Sequence, residues 1–147
     1  MTQPPPAADS RSLGLAHYAA RGVLEAVLDR YGLTFRQQLA LRLVVLAPAP
    51  VEHGALVAEV HDALKSGAAG TADDVAALTA KGLVAPEGSR LRATDEGRAL
   101  HSRITTEVGG ISARVWAGLP AADLAAAGRV LAQVKERADA ELAALTA

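Results

Sequence analysis

Apolar residues recur at three- and four-residue spacing along most of this chain, the pattern of helices with one buried face. The first run places Leu13, Ala16, Ala20, Val23 or Leu24, Val27 and Tyr31 on one side and ends at Gly32, which predicts a helix over 12–32. A second helix is predicted over 35–46. Thr34 stands as its N-cap with Gln37 three residues on, and Leu39, Leu41, Leu43, Val44 and Leu46 follow. Pro48 and Pro50 break the pattern, and a short helix restarts near His53 with Leu56, Val57, Val60 and Leu64 on one face. The stretch KSGAAG over 65–70 reads as a turn, Thr71 as the cap of a further helix over 72–81, and Gly82 as its end. Helix, glycine-bearing turn, helix is a helix-turn-helix arrangement.

Two short extended runs come next, 83–85 and 90–93, around the turn residues 86–89, and they form a candidate two-stranded β-wing. Thr94 then caps a long helix predicted to run from Asp95 to about Ala117, with Asp95 and Glu96 at its electropositive end. Gly109 and Gly110 offer a bend or a close approach within it. Pro120 and Asp123 open the last helix, where Leu124, Ala127, Leu131, Val134, Ala138, Leu142 and Leu145 make a nearly continuous stripe. A terminal helix that apolar needs a partner. The fold class that follows is all-α, mainly helical, with a winged helix-turn-helix between N- and C-terminal helices.

Residues 1–11 include three consecutive prolines and no apolar periodicity, and they read as a flexible N-terminal arm. Residues 12–147 are the size of one domain. Alanine supplies 34 residues and Arg outnumbers Lys 12 to 3, a composition that favours helix and points to a GC-rich bacterial genome. Without cysteine there is no disulfide, thiolate metal site or thiol redox sensor. No apolar run approaches the roughly 20 residues of a membrane span, so a cytoplasmic protein is expected. His17, His53, His61 and His101 form no pair at metal-ligand spacing. No nucleophile motif or phosphate-binding glycine loop is present, so the sequence assigns no metal, cofactor or catalytic residue.

Three pieces, in order and in register, resemble the MarR (multiple-antibiotic-resistance regulator) family: Leu33-Thr34 with Gln37 or Gln38 before an apolar helix, Ala80-Lys81-Gly82-Leu83-Val84, and Thr94-Asp95-Glu96-Gly97. The resemblance covers about 12–146 and implies a homodimer. The helices over about 12–32 and 95–146 would interleave, and winged-helix lobes over about 34–94 would project toward double-stranded DNA. It also implies a crevice for a small planar apolar or phenolic ligand, lined by the first, second and long helices.

Candidate DNA contacts are Lys65, Ser66 and Thr71 around the start of the recognition helix, with Arg90 and Arg92 on the wing. Candidate ligand contacts are His17, Tyr18, Arg21, Phe35, Arg42 and Trp116, which offer flat apolar surface and a guanidinium fork. Charge complicates the DNA reading. The chain carries 15 basic against 16 acidic side chains, whereas DNA-binding domains are usually basic. The exposed face of the recognition helix holds Ala72, Asp73 and Ala77, and Asp74 stands where the family has an apolar residue. The wing tip is cut to Pro86-Glu87-Gly88-Ser89. Two readings stay open. One is a dimeric, ligand-responsive transcriptional regulator. The other is a divergent relative that has lost DNA binding and acts as a small-molecule-binding protein or as an enzyme on an apolar metabolite.

Overall fold

The computed structural model describes residues 6–65 and 69–147. The described chain is ordered α1 (Ser10–Arg30), α2 (Phe35–Leu46), β1 (Val51–Glu52), α3 (His53–Leu64), α4 (Thr71–Ala80), β2 (Val84–Glu87), β3 (Arg90–Ala93), α5 (Asp95–Trp116) and α6 (Ala121–Leu145). Contacts divide it into two units, Met1–Gly109 and Gly110–Ala147.

Local capping chemistry sets most of the boundaries in the first unit. The Thr34 hydroxyl accepts from the Gln37 N–H and the Gln37 side chain answers on the Thr34 N–H, as the sequence predicts. α1 begins earlier than expected. Asp9 caps it with a second reciprocal box to Ser12, so Ser10 and Arg11 are helical rather than part of an arm. Of the rest of the expected arm, residues 6–9 form no helix or strand, and residues 1–5 lie outside the described residues. α1 and α4 end alike: Gly32 and Gly82 take positive φ, and the next N–H reaches back to Leu28 O and Leu78 O.

Two expectations need correction. Thr71 does not cap α4. Gly70 occupies the cap position at φ 92°, and Thr71 is the first helical residue with its side chain buried. The sheet has three strands in the order β1-β3-β2, because Val51-Glu52 pairs with Leu91-Arg90 on the far side of the wing. The wing hairpin itself is tight: Glu87 pairs with Arg90 across Gly88-Ser89, with Gly88 at φ 61°.

α2 packs against α3, α4 and β3, and a single core runs through Leu28, Leu41, Val44, Leu56, Val60, Leu78, Leu91 and Ile104. Two of the sequence motifs prove to be one joint. The Thr94 N–H donates to Leu83 O, its hydroxyl donates to Gly82 O at 2.6 Å, and the same hydroxyl accepts from the Gly97 N–H to cap α5. Gly97 then lies so close to the strand that a Cβ there would stand 2.0 Å from Leu83 O.

The second unit holds the end of α5 and all of α6. No residue of α6 is buried, and its stripe at Val130, Leu131, Val134, Leu142 and Leu145 is exposed in the single chain. Among the described residues no helix is long and apolar enough to cross a membrane.

Candidate functional site

The helix-turn-helix is held by an arginine that sequence reasoning passed over. From α2, Arg36 Nε donates to Asp74 Oδ2 at 3.0 Å, while Nη2 donates to Ala69 O at 3.0 Å and to Thr71 Oγ1 at 3.3 Å. The Asp74 side chain is 13% exposed and the Arg36 side chain 29%. Asp74 therefore faces α2 as half of an ion pair, and its negative charge is neutralised within the lobe. What α4 turns to solvent is Ala72, Asp73, Ala76, Thr79 and Ala80: small side chains with one acid.

Breaking a partly buried pair strands the surviving charge, at a cost between the surface and fully buried limits. Arg36→Met is expected to lower unfolding free energy by about 1–2 kcal/mol, and Arg36→Met with Asp74→Leu to recover most of it. Chemical denaturation of the wild type, Arg36→Met, Asp74→Leu and the double variant measures this. Equal loss in single and double variants would show that the pair does not couple the turn to α2.

The candidate DNA contacts separate on inspection. Thr71 is 1% exposed and hydrogen-bonded by Arg36, so its hydroxyl serves the lobe interior and not a DNA-facing surface. Ser66 lies outside the described residues. Lys65, in left-handed conformation at the end of α3, pairs with Asp62. Arg90 is exposed but held by Glu52 of β1 at 2.9 Å. On the same face of β3, Arg92 is exposed and its guanidinium has no hydrogen-bond or ion-pair partner among the described residues.

The candidate ligand residues also divide. Arg21 stacks over the Phe35 ring, 4.5 Å from its centroid, and pairs with Glu25 at 2.9 Å, so its charge is already engaged. His17 and Tyr18 stand side by side on α1 with ring centroids 5.7 Å apart, both exposed. Trp116, 54% exposed, closes α5 in the second unit.

The structure adds residues to α2 and α5 that spacing alone did not single out. Gln38 Oε1 and His101 Nδ1 are each buried without a hydrogen-bond partner among the described residues. Arg42 is one turn beyond Gln38 on α2. Burial, and then the positive charge of Arg42, hold the His101 imidazole below its ordinary pKa. His101 Nε2 lies 3.5 Å from Thr105 Oγ1. The orphaned His101 nitrogen thus stands near Arg42, which has no acidic partner among the described residues, and the orphaned Gln38 acceptor lies one turn before Arg42 on α2; these are polar groups that a ligand or water would satisfy. Nearby, Glu107 of α5 receives Tyr31 Oη at 2.7 Å and pairs with Arg30, tying α1 to α5. Among the described residues no three His, Cys, Asp or Glu side chains are grouped to hold a metal ion.

The depressed His101 has a stability consequence. The unfolded chain takes up a proton near pH 6.5 that the folded state refuses, so His101's contribution is present above that pH and is lost as pH falls below it. Urea midpoints at about pH 7.5 and about pH 5 should differ more in wild type than in His101→Gln. Identical differences would show that His101 titrates normally.

No family model matches the sequence, and no curated protein does. Solved structures do share the fold. The transcriptional regulator PA3341 superposes with TM-score 0.71 at 18% identity, covering 86% of this chain and 95% of that one. The Mycobacterium tuberculosis MarR family protein Rv2887, in complex with DNA, gives TM-score 0.66 at 26% identity, covering 87% and 98%. This chain has a MarR-family winged-helix fold. CouR from Rhodococcus jostii RHA1, bound to p-coumaroyl-CoA, shares it at TM-score 0.65 and 20% identity, with 88% of each chain covered. Rv2887 is also solved with salicylic acid and with p-aminosalicylic acid. In this chain the joint of Thr94, Gly97 and Leu83 locks the wing to the long helix, and α3 and α4 are the two helices of the helix-turn-helix.

Proposed function

We propose that this chain is a homodimeric, ligand-responsive transcription regulator. It would bind double-stranded DNA through the α3–α4 helix-turn-helix, with Lys65, Arg90 and Arg92 on phosphates. The observation that carries the reading is the Arg36–Asp74 pair. It removes one of the two recognition-helix carboxylates from the exposed face and leaves a smooth surface of alanines able to approach a groove closely. A MarR-family structure in complex with DNA, 26% identical over 87% of this chain, supports it.

The ligand is a planar, mostly apolar molecule with one anionic group, seated against Phe35 with its polar end toward Gln38, Arg42 and His101. Arg42 replaces Arg21 as the leading anion partner, since Glu25 already claims Arg21. Losing a charge-assisted contact costs roughly 1.5–3 kcal/mol, so Arg42→Ala should weaken an aromatic acid by about ten- to a hundred-fold. Calorimetric titration with a panel of aromatic acids tests this. A panel that neither binds nor raises the melting temperature would remove the ligand from the account.

A second reading, a small-molecule-binding protein without DNA recognition, is favoured by exposed Asp73, by the Arg90–Glu52 pair and by a wing tip of Gly88 and Ser89 with no cation. Ligand binding without any gel shift on the protein's own upstream region would select it.

A further inference from the structure

We propose that the hollow at the root of the wing, whose lining includes none of Gln38, Arg42 and His101, is a second small-molecule site that takes a single-ring organic acid by its carboxylate. The hollow measures about 230 Å³ and lies where the loop after α2 meets β3 and the first turn of α5. Val44, Ala93 and the Pro48–Pro50 loop make its apolar lining, and among the described residues its only charged side chains are Arg92 and Arg98.

The strand register explains why Arg92 is left unneutralised. On β3, Arg90 lies opposite Glu52 of β1 and pairs with it. Two residues along, β1 has ended. Arg92 faces Ala85 on one side, and continuing the register places Pro50 on the other, neither able to answer a charge. Arg98 is fixed differently. Its Nη1 donates to Val45 O at 3.2 Å, near the electronegative end of α2, which leaves its remaining N–H groups available.

Two guanidiniums lining one hollow without an acid repel each other, and an anion between them converts that repulsion into charge-assisted hydrogen bonds. Arginine's planar fork matches a carboxylate in geometry. The apolar lining selects an organic acid over a bare inorganic ion. The volume, below the roughly 300–1,000 Å³ of sites for drug-sized molecules, restricts it to one ring. A bound acid would also occupy Arg92, one of the proposed phosphate contacts, and so oppose DNA binding directly.

The test is a titration of the full-length, ¹⁵N-labelled protein with benzoate, and in parallel with benzyl alcohol, followed by NMR. Benzoate should produce saturable shifts at the Ala47 and Ala93 amides and at the Arg92 Nε–H, with benzyl alcohol at least about tenfold weaker, the loss expected for one charge-assisted contact. Arg92→Ala should abolish or weaken these shifts by about tenfold or more, and Arg92→Lys by an intermediate amount, because it keeps the charge but not the fork. Shifts at Gln38 and His101 report the crevice separately. Benzoate shifts confined to those two residues, no saturable change at Ala47 and Ala93, or equal binding by Arg92→Ala would each overturn the second site.

Discussion

Gly97→Ala is expected to cost about 3 kcal/mol of unfolding free energy, the upper end of what overpacking does, and to lower the melting temperature by roughly 10 °C. The added methyl would stand 2.0 Å from the Leu83 carbonyl oxygen, which is backbone and cannot rotate away. To make room, α5 must withdraw from the strand, and withdrawal breaks the bonds from Thr94 to Gly82 O and Leu83 O that anchor the wing. Thr94→Ala keeps the backbone bond to Leu83 O and loses only the hydroxyl's bonds with Gly82 O and the Gly97 N–H, so it should cost about 1 kcal/mol, as a lost helix cap does. Thermal and urea unfolding of the two variants check the order. A Gly97→Ala protein as stable as wild type would show that the joint yields.

The second large effect concerns assembly. The exposed faces of α1 at Leu13, Leu15 and Tyr18, and of α6 at Leu131, Val134 and Leu145, exceed the scattered apolar residues of an ordinary surface, and we propose that a second copy covers them. Light scattering at micromolar concentration should give twice the 15.0 kDa chain mass. Leu131→Glu with Val134→Glu places four carboxylates in the two-fold interface, at positions exposed in the single chain, so it should yield a folded monomer. A wild-type monomer, or a double variant that remains dimeric, would contradict this use of α6.

What was legible in the sequence was local. The Thr34–Gln37 box and the glycines after α1 and α4 act over three to five residues, so their spacing predicts the helix ends directly. Asp9 and Ser12 carry the same signal, but the preceding prolines favoured an arm. Thr71 resembles a cap because threonine before a helix usually is one. Only the left-handed Gly70 and the reach of Arg36 from 35 residues away turn its hydroxyl inward. β1 is two residues long and exists because β3 offers an edge, so no alternation announces it. The same limit governs the sites. Arg36–Asp74, Glu52–Arg90 and the approach of Arg42 to His101 join residues 38 or more positions apart, and none is visible until the chain folds.

The central claim, that this winged helix reads DNA as a dimer, is tested most directly by fluorescence anisotropy of a labelled duplex from the protein's own upstream region, titrated between about 50 and about 200 mM salt. With Lys65, Arg90 and Arg92 engaged on both subunits, affinity should fall about a thousand-fold across that range, and Arg92→Ala should reduce the salt slope by about one unit for each phosphate contact it removes. Absence of binding at the lowest salt, or binding indifferent to salt and to Arg92, would contradict it.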